Sequence, residues 1–427
     1  MIRIGKPQVE TVAGSAYLKA CVSVDDETAQ RYVTKTAALK NCAWLTAVDY
    51  PPAAWRETGI SPERSELRTR LHSVCELWFR VPAEYGGYLC TECSDAFVVA
   101  MLWYAMLVGS DIEFETPMSK RLHRGLAEKL LPTLAEHGAG RIRLLGPVSD
   151  AVLPCAGAVG TGMSCGVDSF YTVMTHGAGS QRPLTHLTYY AAGLHVPPGS
   201  DDVEKTYAAL ERVGAENIRK AAAVAAASGL PFIPVVTNLD RDFYRGGVVY
   251  TAMYRYLACT LALGRLFGTY VSSSSGHVGD LGVGVVVPTQ NYERLICESC
   301  QTETLAYVNS DEVARTEKLK AVADNPLFQR YASVCFNDCA CGECLGCWKT
   351  MFPLDVLGKL DRFGGVFDLP RYYARREELL RSFVRYAAKP ELASVKVTLE
   401  QLVRLAESES GDSAVRFREL LKTAMMA

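Results

Sequence analysis

A run of small and polar residues near the middle of the chain could bind an anion. It follows the small-residue stretch 157–163 and precedes an apolar helix pattern at 170–175, which predicts a strand, a tight turn and a helix start. The first N–H groups of a helix have no partner within it, and its dipole places about half a positive charge there. Phosphate is the anion expected at such a turn. The candidate residues are Ser164, Cys165, Gly166, Val167, Asp168 and Ser169.

The side chains of this turn suggest separate roles. Ser164 and Ser169 can donate hydroxyl hydrogen bonds to an anion. Gly166 lets a ligand approach the backbone closely, and Asp168 could hold Mg²⁺ against the phosphates. A Walker-type loop is excluded because the spacing G-x-x-x-x-G-K-[ST] is absent. An ordinary turn rich in Ser and Gly is the alternative.

Five cysteines fall within thirteen residues further along the chain. Cys341, Cys344 and Cys347 repeat every third residue, and Cys335 lies six residues before Cys341. Overlapping C-x-x-C units with one more thiolate favour a tetrahedral zinc site, with an iron–sulfur cluster or no metal as alternatives. Cys339 is either spare or replaces Cys335.

These two patterns carry a resemblance to a known family. S-x-G-x-D-S at 164–169 resembles the pyrophosphate loop (PP-loop) of the ATP pyrophosphatases, which split ATP between its α and β phosphates to adenylate a substrate. With S-x-C-[FY]-N at 333–337 and C-G-x-C-x-x-C at 341–347, the order resembles the 7-cyano-7-deazaguanine synthase (QueC-like) branch. The resemblance covers residues 151–363. It implies a structural zinc beside the active site, bound by Cys335, Cys341, Cys344 and Cys347.

The resemblance implies an enzyme that uses ATP, Mg²⁺ and Zn²⁺. It would adenylate a 7-carboxy-7-deazaguanine-like carboxylate and then form an amide with a nitrogen nucleophile, releasing AMP and pyrophosphate. In the synthase of queuosine biosynthesis a second ATP dehydrates that amide to a nitrile. This chain lacks evident base-pocket segments and has about 150 additional N-terminal residues. We therefore favour the amide, formed with a partner protein amine as in synthase-like proteins of bacterial anti-phage operons.

Further site residues are predicted around the same pocket. Arg315 and Lys318 open a predicted helix and resemble the late phosphate contact of PP-loop enzymes, although a solvated first turn is the alternative. His277 and Asp280 lie in a Gly/Ser loop comparable to the one where the synthase binds its base, although for His277 we favour a surface loop histidine. Ala191 ends a predicted strand and is assigned to ATP binding.

Two other functions remain open. A tRNA-thiolating PP-loop enzyme would need a basic RNA-binding face, which a net charge of −2 disfavours. A nucleotide sensor would bind ATP without turnover. No nucleic-acid partner and no membrane are expected, since the longest apolar stretch, 96–108, is too short to span a bilayer. Fifteen cysteines with no apolar signal segment predict reduced thiols in the cytoplasm.

The elements that must position these residues predict an α/β fold. The expectation is a doubly wound parallel sheet of the PP-loop (adenine nucleotide hydrolase-like) type at 151–370. An N-terminal α+β domain of unknown role at 1–150 and a helical tail at 371–427 flank it. Strands are predicted at 185–191, 232–237 and 269–273, and helices at 215–228 and 249–267. Ligands sit beyond the carboxyl ends of parallel strands. The expected pocket rim is therefore 164–169, 191–195, 238–240 and 275–280.

Three smaller features carry expectations of their own. Cys165 stands where the family has Gly. Its position at a helix start would lower its thiol pKa and could make it reactive, although we favour a tolerated small residue. Cys90 and Cys93 form a C-x-x-C pair before a predicted core helix, which is typical either of a redox pair or, as we favour, of core cysteines. The arginines between 362 and 381 are interleaved with acids and indicate a solvated helix face.

Overall fold

The computed structural model describes residues 1–39, 74–192, 203–244, 248–274, 282–310, 313–335, 341–389 and 393–426. Across these residues, eleven strands form one mixed, mostly parallel sheet. Its strands are β1 (Ile2–Ile4), β2 (Gln8–Val12), β3 (Ser15–Val24), β4 (Val74–Pro82), β5 (Ile112–Phe114), β7 (Leu144–Leu145), β9 (Ala158–Gly162), β10 (His186–Ala191), β11 (Phe232–Thr237), β12 (Phe267–Ser272) and β13 (Ala306–Asn309). A separate parallel pair joins β6 (Met118–Ser119) to β8 (Val148–Ser149).

Helices flank this sheet and form the C-terminal part of the chain. They are α1 (Asp26–Leu39), α2 (Asp95–Val108), α3 (Lys120–Gly125), α4 (Leu131–Glu136), α5 (Val167–Thr175), α6 (Val203–Ala227), α7 (Val248–Ala262), α8 (Glu293–Ser299), α9 (Arg315–Val322), α10 (Pro326–Tyr331), α11 (Leu345–Val356), α12 (Leu369–Ala387), α13 (Ala393–Ser408) and α14 (Asp412–Met426). A π-helical segment, Leu126–Leu130, joins α3 to α4. No described helix has both the length and the apolar content needed to cross a membrane.

The strand order reverses at β9. The parallel part of the sheet runs β13-β12-β9-β10-β11, so the chain leaves β9 toward β10 and β11 and later returns to its other side for β12 and β13. In open α/β sheets, ligands bind beyond the carboxyl ends of strands at such a reversal point. The 164–169 turn follows β9 directly. This arrangement is compatible with the predicted doubly wound α/β fold.

The parallel strands are buried on both faces, as strands covered by helices on each side must be. In β10, Leu187 and Tyr189 pack in one hydrophobic core with helices α5 and α6. Tyr190 and the following Ala192 pack in the other core, with α2 and α7. Side chains alternate along a strand, so an apolar run such as β10 fills both cores. The strands predicted at 185–191 and 232–237 are confirmed.

The N-terminal strands extend the same sheet. β4 pairs antiparallel with β11, placing Arg80 opposite Val236, and β3 pairs antiparallel with β4. Helix α2 is buried along its whole length and shares a core with α7, where the Trp103 indole N–H donates to the Val285 carbonyl oxygen at 2.7 Å. The predicted core helix is therefore confirmed, whereas the domain division at residue 150 stays a prediction.

The tail is helical, as predicted, and packs on α11. Phe352 of α11 contacts Phe383 of α12 and Phe417 of α14, with ring centroids 5.6 and 6.0 Å apart. The break between α13 and α14 falls at 409–411. All three tail helices pack against α11 and fix its position.

Candidate functional site

The 164–169 turn is a strand-to-helix connection, as predicted. β9 ends at Gly162 and α5 begins at Val167, with Gly166 extended at the N-cap. The first bond of the helix runs from the Phe170 N–H to the Gly166 carbonyl oxygen at 3.1 Å. The three N–H groups before Phe170 therefore have no acceptor within the helix, and they are available to an anion.

Both predicted serine hydroxyls lie in the turn. The Ser164 hydroxyl oxygen accepts from the Gly166 N–H at 3.3 Å, and the Ser169 hydroxyl donates to the Gly166 carbonyl at 3.0 Å. The two hydroxyl oxygens are 3.4 Å apart. The turn therefore brings two exchangeable hydroxyl donors to the start of α5.

Cys165 adopts a backbone conformation that favours glycine. Its φ is +60°, the left-handed region, which accounts for glycine at this place in the family. The prediction of a lowered thiol pKa is wrong, because the side chain is buried in the core and burial raises its pKa to about 12. Its carbonyl oxygen accepts from the Ser333 N–H at 2.9 Å, so Cys165 ties the turn to the segment that leads into the cysteines.

Arg315 and Lys318 meet Asp168, the acid of the turn. Arg315, at the start of α9, donates to one carboxylate oxygen of Asp168. The Lys318 ammonium lies 3.7 Å from the other oxygen and donates to the carbonyl oxygens of Ser274 at 2.7 Å and Ser310 at 3.2 Å. The fold thus brings three residues assigned from the sequence into one group, although their catalytic roles stay predictions.

A third cation in this group was missed by the sequence analysis. Lys349 lies on α11, and its ammonium pKa is lowered to about 8. Burial is the largest cause, the Arg315 charge acts in the same direction, and the Asp168 charge acts in the opposite direction. No local pattern indicates this lysine, since only the packing of α11 brings it near Asp168. Among the described residues, Arg315 and Lys318 therefore pair with this carboxylate, and Lys349 interacts with it electrostatically. Asp168 Oδ1 and Arg315 Nε are buried and make no hydrogen bond to described atoms, so both have bonding capacity left.

Glu293 is a second residue that sequence reasoning missed. It begins α8 and accepts a hydrogen bond from the Ser272 hydroxyl at 2.7 Å, at the carboxyl end of β12. Burial raises its carboxyl pKa to about 7, while the Ser272 bond and the Lys318 charge act in the opposite direction. Glu293 therefore adds a titratable carboxyl behind Lys318.

Replacing Glu293 with Gln should stabilise the protein at alkaline pH. The carboxyl pKa is about 7 in the folded state against 4.5 for an unperturbed glutamate, so folding favours the protonated form. That contribution to stability is complete below about pH 4.5 and is lost as the pH rises through 7. At pH 8 the variant should gain about 1–3 kcal/mol over the wild type, and at pH 4.5 almost nothing.

Urea unfolding at both pH values measures this difference. Glu298→Gln is the matched control, because Glu298 is an exposed acid on the same helix that pairs with Lys129. The control should show no pH-dependent gain. An equal gain in both variants, or none in Glu293→Gln, would contradict a buried carboxyl that titrates near neutrality.

The four cysteines assigned as ligands form one cluster. Every pair of their sulfur atoms lies within 4.8 Å, and three of the distances are 3.6 Å (Cys335 to Cys341), 3.5 Å (Cys344 to Cys347) and 3.9 Å (Cys335 to Cys344). Tetrahedral zinc with bonds of about 2.3 Å to sulfur places its sulfurs about 3.8 Å apart. The cluster could therefore hold a metal such as zinc. Cys339 lies outside the described residues.

Backbone and salt-bridge contacts hold this cysteine cluster in place. The Cys347 N–H donates to the Cys344 sulfur at 3.4 Å, at the N-cap of α11. Glu343, between two ligands, binds both Arg371 and Arg375 of α12. Arg371 and Arg375 are 49% and 37% exposed, in agreement with the predicted solvated helix face, and they also bridge the tail to the cysteine segment.

Comparison with known proteins adds no relative. No family model, no curated protein and no solved structure matches the chain. The family therefore stays a resemblance carried by two sequence patterns. Function has to be inferred from the site itself.

The remaining assigned residues lie at the same edge of the sheet or outside the described ranges. Ala191 ends β10, next to β9, and the carbonyl oxygen of Ala192 accepts from the Arg255 guanidinium. Arg255 also pairs with Asp240 at 2.7 Å, and both side chains are buried. This pair fixes the edge near Ala191. His277 and Asp280, assigned to the substrate, lie outside the described residues.

Proposed function

We propose that this protein is an ATP-dependent ligase of the PP-loop type that forms a C–N bond. It activates a carboxylate as its adenylate with release of pyrophosphate, and then transfers the acyl group to a nitrogen nucleophile with release of AMP. The observation that carries the proposal is the excess of positive charge at the 164–169 turn. Arg315 and Lys318 pair with the carboxylate of Asp168, and Lys349 interacts electrostatically with both Arg315 and Asp168, beside the open N–H groups of α5.

This charge arrangement fits a polyphosphate better than a neutral ligand. Three cations face the carboxylate of Asp168 and the carboxyl of Glu293, which is about half ionised at neutral pH. This leaves an excess of about one to two positive charges in a largely buried place, which is costly without an anion. The Arg315 Nε has no partner among the described atoms, and a planar guanidinium suits phosphate oxygens. Asp168 Oδ1, which faces Lys318 but makes no hydrogen bond to described atoms, suits Mg²⁺, which binds proteins through one or two carboxylates together with substrate phosphates.

The residues of the chain would act mainly by positioning and by electrostatics. A substrate carboxylate oxygen attacks the α-phosphorus, the bond to the β-phosphate oxygen breaks, and pyrophosphate leaves. Arg315, Lys318 and Lys349 would stabilise the negative charge that develops on that leaving group. The nitrogen lone pair then attacks the acyl carbon, the bond to AMP breaks, and the nitrogen loses a proton.

The substrate class follows from the resemblance. We propose a 7-carboxy-7-deazaguanine-like carboxylate, contacted by His277 and Asp280, and ATP bound along 164–169 and at Ala191. The nitrogen nucleophile is ammonia or, as we favour, the amine of a partner protein in anti-phage defence. Zinc in the cysteine cluster would be structural, since four thiolates leave no open position.

The test uses the full-length protein with ATP, Mg²⁺ and 7-carboxy-7-deazaguanine, with ammonium or an N-acetyl-lysine amide as the amine. Pyrophosphate is measured continuously, AMP by chromatography and the product by mass spectrometry. We expect pyrophosphate release that depends on the carboxylate, and an amide mass. A nitrile mass would identify the synthase reaction instead. Bound ATP without any release would indicate a sensor, and release that requires tRNA would indicate a thiolating enzyme.

Lys349→Ala tests whether this lysine binds the ATP phosphates, as distinct from the general loss of one positive charge. Calorimetric titration should show weaker ATP binding in this variant, by about tenfold, if its ammonium contacts the phosphates. Lys320→Ala is the matched control, because Lys320 lies on α9 but pairs with Glu409 at 2.5 Å on the surface. Equal affinities in the two variants would remove Lys349 from the phosphate site.

A further inference from the structure

A cavity lies near the amino ends of the parallel strands, on the opposite side of the sheet from the 164–169 turn, which follows a carboxyl end. Its volume is about 170 Å³. Leu153 and Leu305 line it and precede β9 and β13, whose carboxyl ends face the turn. Cys90 and Cys93 line it as well, so the C-x-x-C pair noted in the sequence faces this cavity.

The two thiols of this pair are already in contact. Their sulfur atoms are 3.3 Å apart, and Cys90 is buried while Cys93 is partly exposed. A disulfide requires sulfurs about 2.0 Å apart, so a relative movement of little more than 1 Å would join them. Cysteines with a purely structural role only have to pack against their neighbours. Cys90 and Cys93, in contrast, line a cavity that a small molecule can enter.

The backbone around the pair is held by its neighbours. The Cys90 N–H donates to the Ala262 carbonyl oxygen at 3.1 Å, at the end of α7, and Glu92 pairs with Arg265 at 3.2 Å. On the other side of the pair, the Ser94 N–H donates to the Pro117 carbonyl oxygen at 3.0 Å. Held at both ends, the segment keeps the sulfurs close without a covalent bond.

A buried carboxyl group, that of Asp95, lies beside the cysteine pair. Asp95 follows the pair, lines the same cavity and accepts from the Ser119 N–H at 2.8 Å. Burial raises its carboxyl pKa to about 7, while the Ser119 and Cys93 hydrogen bonds act in the opposite direction. Such a carboxyl can accept or return a proton at neutral pH, which exchange between thiol and disulfide requires.

We propose that Cys90 and Cys93 form a reversible disulfide when a hydroperoxide enters this cavity. A water molecule occupies about 30 Å³, so the cavity admits hydrogen peroxide. The Cys90 hydrogen bond and burial keep the Cys93 thiol protonated, so Asp95, which accepts a hydrogen bond from it, first takes its proton. The Cys93 thiolate then attacks one peroxide oxygen, the O–O bond breaks, and the other oxygen takes the proton from Asp95 and leaves as water. The Cys90 sulfur then attacks the Cys93 sulfenic sulfur, the S–O bond breaks, and a second water forms. Two electrons pass from the sulfurs to the peroxide, and an external dithiol restores both thiols.

Differential alkylation tests the pair in the wild-type, metal-loaded protein. Limiting hydrogen peroxide is added and quenched, free thiols are blocked with N-ethylmaleimide in denaturant, and reversibly oxidised thiols are reduced and labelled with iodoacetamide. Peptide mass spectrometry should show the second label on Cys90 and Cys93 together, well before it reaches Cys155, a partly exposed thiol. Maleimide retained on both cysteines while Cys155 oxidises would overturn the proposal.

Variants supply a second readout. In Cys93→Ser the second label on Cys90 should be lost, whereas Cys155→Ser should leave the Cys90–Cys93 labelling unchanged. Persistence of the label on Cys90 in Cys93→Ser would also overturn the pairing. No step of the experiment involves ATP, so its outcome is independent of the ligase proposal.

Discussion

Replacing Asp168 with Asn is expected to lower carboxylate-dependent pyrophosphate release at least about 100-fold. The amide keeps the size of the side chain but removes the negative charge. Arg315 and Lys318 then lose their shared anionic partner. The oxygen that suits Mg²⁺ loses most of its affinity for a divalent cation, because Mg²⁺ binds through carboxylates.

Measuring ATP binding to Asp168→Asn distinguishes the loss of a Mg²⁺ ligand from a general disruption of the site. Without the carboxylate, the three cations attract the triphosphate at least as strongly as in the wild type, so ATP should bind in the absence of Mg²⁺ with undiminished affinity. The contribution of Mg²⁺ to that affinity should disappear. Calorimetric titrations with and without Mg²⁺ measure both effects.

Asp324→Asn is the control for this substitution. Asp324 is an exposed acid that pairs with Lys359 and Arg362, and its loss should leave turnover and the Mg²⁺ dependence unchanged. Circular dichroism checks that both variants remain folded. Wild-type turnover in Asp168→Asn would remove this carboxylate from the chemistry and, with it, the proposed role of the turn.

The parts of the site that the sequence predicted are those encoded by neighbouring residues. The 164–169 turn follows from small residues, a Gly-Val-Asp-Ser ending and an apolar helix start within about twenty residues. The cysteine cluster follows from spacing in the same way, and the structure brings its four assigned ligands together. Such patterns can be recognised in the sequence because one turn and one helix start determine most of the relative positions of these residues.

Residues recruited by packing were missed for the opposite reason. Lys349 and Glu293 stand in sequence contexts that suggest nothing unusual, and only the docking of α11 and α8 brings them to Asp168 and Lys318. Cys165 shows the competing effect. A helix start predicts a lowered thiol pKa, but the side chain points into the core, where desolvation dominates.

Element boundaries failed where glycine was given too much weight. The helix predicted to begin at residue 215 begins at Val203, so it runs through Gly214. An interior glycine costs about 1 kcal/mol, which a long helix can absorb. The helix predicted at 249–267 shows the opposite error, because the prediction ignored Gly264: the helix ends at Ala262, and a turn at 263–266 separates it from β12, which begins at Phe267. Periodicity alone does not separate a buried strand from a helix end.

Cys344→Ser should abolish metal binding and weaken ATP binding together. The wild type should carry about one zinc per chain, and the variant none, because a hydroxyl does not replace a thiolate ligand of zinc. Serine remains a good N-cap, so the start of α11 keeps its cap and the effect isolates the metal. Elemental analysis measures the zinc, and an iron–sulfur absorbance band in the wild type would contradict zinc.

Helix α11 connects the cysteine cluster to the proposed ATP site. This helix begins at the cysteine cluster, carries Lys349 toward Asp168 and packs on the tail through Phe352. Losing the metal frees the helix start, so the thermal midpoint should fall and the ATP dissociation constant should rise by about the tenfold expected for Lys349→Ala. Cys300→Ser, at a buried thiol outside the cluster, should retain zinc and ATP affinity. Loss of zinc with unchanged ATP affinity would mean that the metal stabilises the tail but does not position the phosphate site.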